Sequence, residues 1–269
     1  MVNEKFFVID AHCHVYPEAI SEKAAKATGD FYGEMPFGKG TISDLVGNGK
    51  KAGVDKFIVQ SVATTKAQVR KINEFIAGEV SNHSDTLYGL GTMHPESDDI
   101  AGDFEHLKSL GLKGVKLHPD IQGFKIDDYR CLKIYELCER DNLPVLMHTG
   151  DYRYDFSNPN RLIPILKIYT ELTVIGAHFG GWSIWEEASK ELYDIPNLYV
   201  DCSSSLSYIK PQISAEIIKR YGTDRVLFGT DYPLHSPVKE MEILTSLGFS
   251  DNDYKKIFAE NAIKVYKLD

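Results

Sequence analysis

Cysteine is scarce in this chain: four in 269 residues (Cys13, Cys131, Cys138, Cys202), none in CxxC spacing. A chain of this length can build its core without covalent staples, so reduced thiols are expected. Positive charge is short as well. Thirty Lys and Arg stand against thirty-nine Asp and Glu, a net charge of -9, which argues against the basic footprint of nucleic-acid binders and against docking on an anionic membrane. The first apolar run, residues 6–9, is too short for a signal-peptide core or a membrane span, so the expected compartment is the cytoplasm. Also missing is a GxGxxG turn after the first apolar run, which removes the usual signature of a dinucleotide-binding open sheet.

What is present is a regular beat. Short runs rich in Val, Ile, Leu and Phe occur at 6–10, 56–61, 88–92, 114–117, 144–147, 173–177, 198–200 and 226–229. Gly, Pro, Asn or Asp bounds them, as expected of strands buried on both faces of a parallel sheet. Between them lie helical stripes, such as Leu132, Tyr135 and Cys138, or Leu162, Ile165, Leu166 and Tyr169. Ser250 with Asp253 reads as the N-cap of a closing helix. With 43% hydrophobic and 26% charged residues and no linker-like stretch, the pattern predicts one α/β domain over 1–269, a (β/α)8 TIM barrel.

Two stretches exceed the minimal alternation. Residues 16–40, carrying five glycines or prolines from Gly29 to Gly40, form a long insertion after the first strand and are expected as a lid. Residues 151–159 form a polar and aromatic loop after the fifth strand, and Arg153 between Tyr152 and Tyr154 is a candidate fork for a substrate carboxylate.

The chemistry-bearing residues fall at one kind of place. His12 and His14 end the first strand, His94 the third, Lys116 and His118 the fourth, His148 the fifth, His178 the sixth and Asp231 the eighth. In a parallel barrel those C-terminal ends meet at one mouth. Residues two apart on a strand share a face, so His12 and His14 are spaced to chelate one ion. Each of these residues alone has an ordinary reading as a buried, hydrogen-bonded polar group. Together they crowd polar groups into a packed barrel without charge compensation, which a divalent cation supplies.

This set resembles the amidohydrolase superfamily, and within it the amidohydrolase-related branch that also holds metal-dependent decarboxylases of unsaturated and aromatic acids. The resemblance rests on His12-Cys13-His14, His148, His178, Thr230-Asp231-Tyr232-Pro233 and Glu260-Asn261-Ala262, and covers nearly the whole chain. It implies that His12, His14, His148 and Asp231 bind a divalent metal, usually zinc, with His178 beside the reacting water or substrate. Lys116 resembles the lysine that some members carbamylate to bridge two ions. It equally suits a substrate carboxylate or a pairing with Asp231, and His118 competes for either role.

Two catalytic functions and one noncatalytic function follow. The first is a hydrolase in which metal-activated water attacks a small amide, ester or lactone, with Asp231 and His178 catalytic and Lys116, His118 and Arg153 binding a carboxylate-bearing substrate. The second is a nonoxidative decarboxylase on the same scaffold. The third is a binding barrel with a closed structural metal site. A homo-oligomer is expected on general grounds.

Overall fold

The computed structural model describes residues 5–269; the expectation that no leader opens the chain also concerns residues 1–4, which lie outside the described residues. Strands β1 (Ile9–His14), β2 (Lys56–Gln60) and β3, in two segments (Leu87–Gly89 and Gly91–Thr92), are followed by β4 (Val115–Leu117), β5 (Val145–Met147), β6 (Val174–Gly176), β7 (Leu198–Asp201) and β8 (Val226–Leu227). All neighbours pair in parallel. At Leu90 the third strand changes partner: its amide bonds back to Val59, and the next amide, of Gly91, bonds forward to Gly114.

The ring closes between the last strand and the first. Ala11 N–H donates to the Phe228 carbonyl at 2.9 Å and His14 N–H to that of Tyr232 at 2.6 Å, while Asp231 N–H donates to that of His12 at 2.9 Å. Gly229 permits this approach, because a Cβ there would stand 2.9 Å from His12 Cβ. Closure also carries the first strand beyond its apolar run at 6–10, to the histidines expected at its end. The strand runs through His14, since the backbone of the His-Cys-His segment is bonded to the Tyr232 segment.

Inside the ring sit Ile9, Ala11, Ile58, Leu90, Leu146, Ile175 and Leu227, packed against Ala262, Val265 and Tyr266 of the final helix and Leu268 just beyond it, which plug the N-terminal end of the barrel. A larger cluster joins the outer strand faces to the helices. Ser250 caps that terminal segment, accepting from Asp253 N–H at 3.2 Å. All four cysteines are buried and unbridged. No helix among the described residues is long and apolar enough to cross a membrane.

The 16–40 insertion is built around helix α1 (Ser21–Tyr32), followed by α2 (Ile42–Ala52) and, after β2, α3 (Val69–Asn82). Ile20, Ala24, Ala27, Thr28 and Phe31 recur at helical spacing and face the barrel mouth. The lid expected from the sequence is therefore an amphipathic helix laid over the C-terminal strand ends.

Candidate metal centre and active site

His12, His14 and Asp231 converge at the mouth. His12 Nε2 lies 3.2 Å from His14 Nε2, and Asp231 Oδ1 lies 3.4 Å from the first and 3.5 Å from the second. Atoms bonded to one tetrahedral ion at about 2.0–2.2 Å stand roughly 3.3–3.6 Å apart, so these donors already have the spacing of a coordination polyhedron. All three are buried.

The tautomer of His12 is set from behind. Asp201 Oδ2 accepts from His12 Nδ1 at 2.8 Å, leaving the Nε2 lone pair facing the site, where Lys116 Nζ donates to it at 3.0 Å. A buried ammonium thus occupies the approach to an acceptor that a divalent cation would take, and the donor set fits such an ion. Asp201 also accepts from His178 N–H at 3.0 Å, Ser203 N–H at 3.0 Å and Ser203 Oγ at 2.5 Å. One carboxylate therefore fixes both the first strand's ligand and the turn that carries His178.

The structure brings His118, His148 and His178 into a chain beside this group. His178 Nδ1 donates to the Ser203 carbonyl at 3.0 Å, and its Nε2 meets His148 Nδ1 at 3.1 Å. The His148 ring stacks on His118 with centroids 3.9 Å apart and 7° between planes. His148 Nε2 faces Asp120 Oδ2 at 3.5 Å without a hydrogen bond. His148 thus falls in a donor group with His118 and Asp120, separate from the group of His12, His14 and Asp231. The backbones of Asp231 and His178 both have φ of 60°, a left-handed conformation that costs energy in non-glycine residues and is common at active sites.

A cavity of about 500 Å³ opens from these donors to solvent between α1 and α3. His12, His14, Lys116, His118, His148, His178 and Asp231 form its floor; Ile20, Ala24, Ala27, Phe31, Ile72, Phe75 and Ile121 give it an apolar wall. Arg153 does not line it. Its guanidinium is bonded to Asp151 at 2.9 and 2.7 Å and to the Phe31 carbonyl at 2.7 Å. His94 is buried outside the wall, and His235 stands beside Glu34.

Sequence reasoning missed Asp201, Ser203, Ser204 and Tyr32. The first three lie in LYVDCSSS, where a buried strand ends on an acid followed by serines, a signal of the same kind as the histidine strand ends. Ser204 Oγ donates to Asp231 Oδ2 at 2.5 Å. Tyr32 comes from the lid and carries no motif.

Burial dominates the electrostatics. It holds the imidazoles of His12, His14, His118 and His148 well below their usual range and His178 at about 3. It pushes Asp10 and Asp120 up to about 6, and Asp231 and Glu240 up to about 7. The signs oppose each other. Depressed histidines contribute stability above about pH 6.5 that is lost on acidification, whereas raised carboxyls contribute stability that is complete below about pH 4 and lost as pH rises through 6–7. In metal-free protein the depressed imidazoles, His94 and His235 among them, and the raised carboxyls therefore act in opposite directions between pH 7 and 5. Below about pH 4 the histidine contribution is unopposed, at roughly 1.4 kcal/mol per pH unit for each proton. Thermal melts across pH should show a shallow slope and then a steep fall; a steep fall starting at pH 6.5 would contradict the raised carboxyls.

Comparison with known proteins defines the class. The amidohydrolase family model matches residues 9–268, and the chain belongs to that family. Among solved structures, a TIM-barrel protein of uncharacterised function from Bordetella bronchiseptica superposes with TM-score 0.82 at 19% identity, covering 98% of this chain and 99% of that one. A 5-carboxyvanillate decarboxylase from Sphingomonas paucimobilis superposes at 0.77 with 13% identity, over 98% and 100%. A dihydroxybenzoic acid decarboxylase from Polaromonas, holding manganese and the inhibitor 2-nitroresorcinol, superposes at 0.76 with 18% identity, over 98% of each chain.

Proposed function

We propose that this protein is a metal-dependent nonoxidative decarboxylase of an aromatic or unsaturated carboxylic acid. The observation that carries this is the cavity, with metal donors at its floor and an apolar wall of α1 and α3 side chains above them. An amide or ester substrate needs partners for its polar groups along the wall, but the hydroxyls of Tyr16 and Ser61 are bonded to Thr28 and to the Val15 carbonyl, and apart from these and from Thr28 and Tyr32 of α1 the polar wall residues are at the Thr64, Gln68 and Lys71 side. A flat acid needs only its carboxylate end held. The apolar wall thus favours the second of the two enzymatic functions expected from the sequence over hydrolysis, and the two decarboxylases of like fold support the choice.

His12, His14 and Asp231 would hold the cation. When bound, the ion supplies positive charge against the substrate's carboxylate or phenolate oxygens; zinc and the manganese of the Polaromonas relative both suit such donors. The residues of the chain do the rest. Asp201 keeps the His12 lone pair turned to the site, and Ser204 orients Asp231. The apolar wall strips water from the carboxylate, which favours a transition state with dispersed charge. In its protonated form, in which Oδ2 donates to Ser204 Oγ instead of accepting from it, Asp231 gives the proton to the carbon that bears the carboxylate, the C–C pair returns to the substrate's conjugated system, carbon dioxide leaves with both oxygens, and Asp231 is left as the carboxylate. Bulk water then reprotonates Asp231.

Protein loaded with manganese or zinc should be assayed against hydroxybenzoates, lactones and cyclic amides in parallel. The expected result is carbon dioxide release from at least one acid and no ring opening. Hydrolysis of a lactone or amide with no carbon dioxide from any acid would overturn the proposal.

A further inference from the structure

Tyr32, the last residue of the lid helix, is a polar group contributed to the site by an otherwise mostly apolar helix face. Its hydroxyl lies 2.7 Å from His118 Nε2 and 3.5 Å from His148 Nδ1. The direction of the first bond follows from the far side of the imidazole. His118 Nδ1 accepts from Ile121 N–H at 3.3 Å, capping the short helix Pro119–Gln122, so that nitrogen holds a lone pair. The proton of a neutral His118 is then on Nε2, and Tyr32 accepts from it. The phenol keeps its own proton to give away. His148 Nδ1 is no acceptor for it: His178 Nδ1 donates to the Ser203 carbonyl, so His178 Nε2 holds a lone pair, which the Nδ1 proton of His148 satisfies.

We infer that Tyr32 is a substrate-contacting hydrogen-bond donor, its O–H aimed by His118 into the cavity at an anionic carboxylate or phenolate oxygen. This deepens the decarboxylase reading and rests on it for the identity of the oxygen, but not for the direction of the bond. Burial keeps the phenol protonated well beyond neutral pH. A donor polarised by a second donor behind it is stronger than a lone phenol.

The loop after β5 gains a role from the same geometry. None of residues 151–159 lines the cavity. Arg153, fixed by the buried carboxylate of Asp151, donates to the Phe31 carbonyl at 2.7 Å in the last turn of α1, where a cation suits the helix dipole. Its guanidinium lies 4.9 Å from the ring centre of Phe31, 5.8 Å from that of Tyr32 and 5.5 Å from that of Trp182. Arg153 is thus a brace that holds Tyr32 in place, a positioning residue.

Two measurements decide the matter. Nitrogen-15 NMR of the imidazoles, which needs no ligand, should show His118 as the Nε2–H tautomer; an Nδ1–H tautomer would overturn the inference, because Tyr32 would then have to donate to the ring. Calorimetry with 2-nitroresorcinol on manganese-loaded protein should show Tyr32→Phe binding about 10- to 100-fold more weakly, with metal content and melting temperature as in the wild type. Equal affinity would overturn it. If the wild type itself fails to bind 2-nitroresorcinol, Tyr32 has no phenolate oxygen to donate to and the inference is overturned, whereas the decarboxylase reading is decided by the carbon dioxide assay. Arg153→Ala should speed proteolysis within α1; cleavage at the wild-type rate would overturn the brace.

Discussion

Asp231→Asn should lose at least about a thousandfold in turnover and most of the bound metal. The carboxylate has two tasks that an amide cannot perform. Its Oδ1 supplies the only negative charge in the group with His12 and His14, so the substitution leaves two neutral imidazoles to hold a dication. Its Oδ2, bonded to Ser204, is the proposed proton carrier, and an amide has no proton to exchange near neutral pH. The fold should survive. Asn tolerates the left-handed backbone found at this position, and removing a buried carboxyl whose pKa is raised by burial relieves a desolvation cost. Metal analysis and turnover on the same preparation check this, with circular dichroism to confirm folding. Retention of full metal content and activity would contradict the assignment.

Asp201→Asn should have an effect nearly as large although Asp201 is outside the donor group of Asp231. An amide set in its place offers only one acceptor oxygen, against four bonds donated to the carboxylate by His12, Ser203 and the His178 backbone. If the amide nitrogen faces His12 Nδ1, that nitrogen must accept, the proton moves to Nε2, and the lone pair aimed at the cation is lost. Changes of this kind cost about 10- to 100-fold in metal affinity, and up to about 10⁴ in rate where a wrong tautomer blocks the chemistry. Competition with a chelator of known affinity gives the first number. A single-turnover rate at saturating metal gives the second. Unchanged metal affinity would show that His12 needs no fixed tautomer.

The sequence made the barrel legible because both of its signals are local. Each strand is a short apolar run and each crossover a helical stripe, so the architecture needed no knowledge of contacts between distant residues. The histidines and Asp231 were legible because the barrel gathers C-terminal strand ends, a consequence of topology alone. Other features depend on which way a side chain turns. Arg153 was expected at the substrate, but Asp151, two residues earlier, folds back onto its guanidinium and the pair turns to the lid. His148 was expected with His12 and His14, yet its ring is placed by stacking on His118 and by His178, which no spacing records. Tyr32 was invisible because a helix inside a long insertion carries no register with the strands. The family likeness to both hydrolases and decarboxylases left the reaction open, and it was the apolar wall contributed by α1 and α3 that favoured one of them.

The most direct measurement is diffraction from crystals soaked in manganese, with anomalous data collected at the manganese edge. A single strong peak should lie within bonding distance of His12 Nε2, His14 Nε2 and Asp231 Oδ1, displacing the Lys116 ammonium from its bond to His12. A peak elsewhere, or none at saturating manganese, would contradict a catalytic cation at the barrel mouth and with it the proposed decarboxylation.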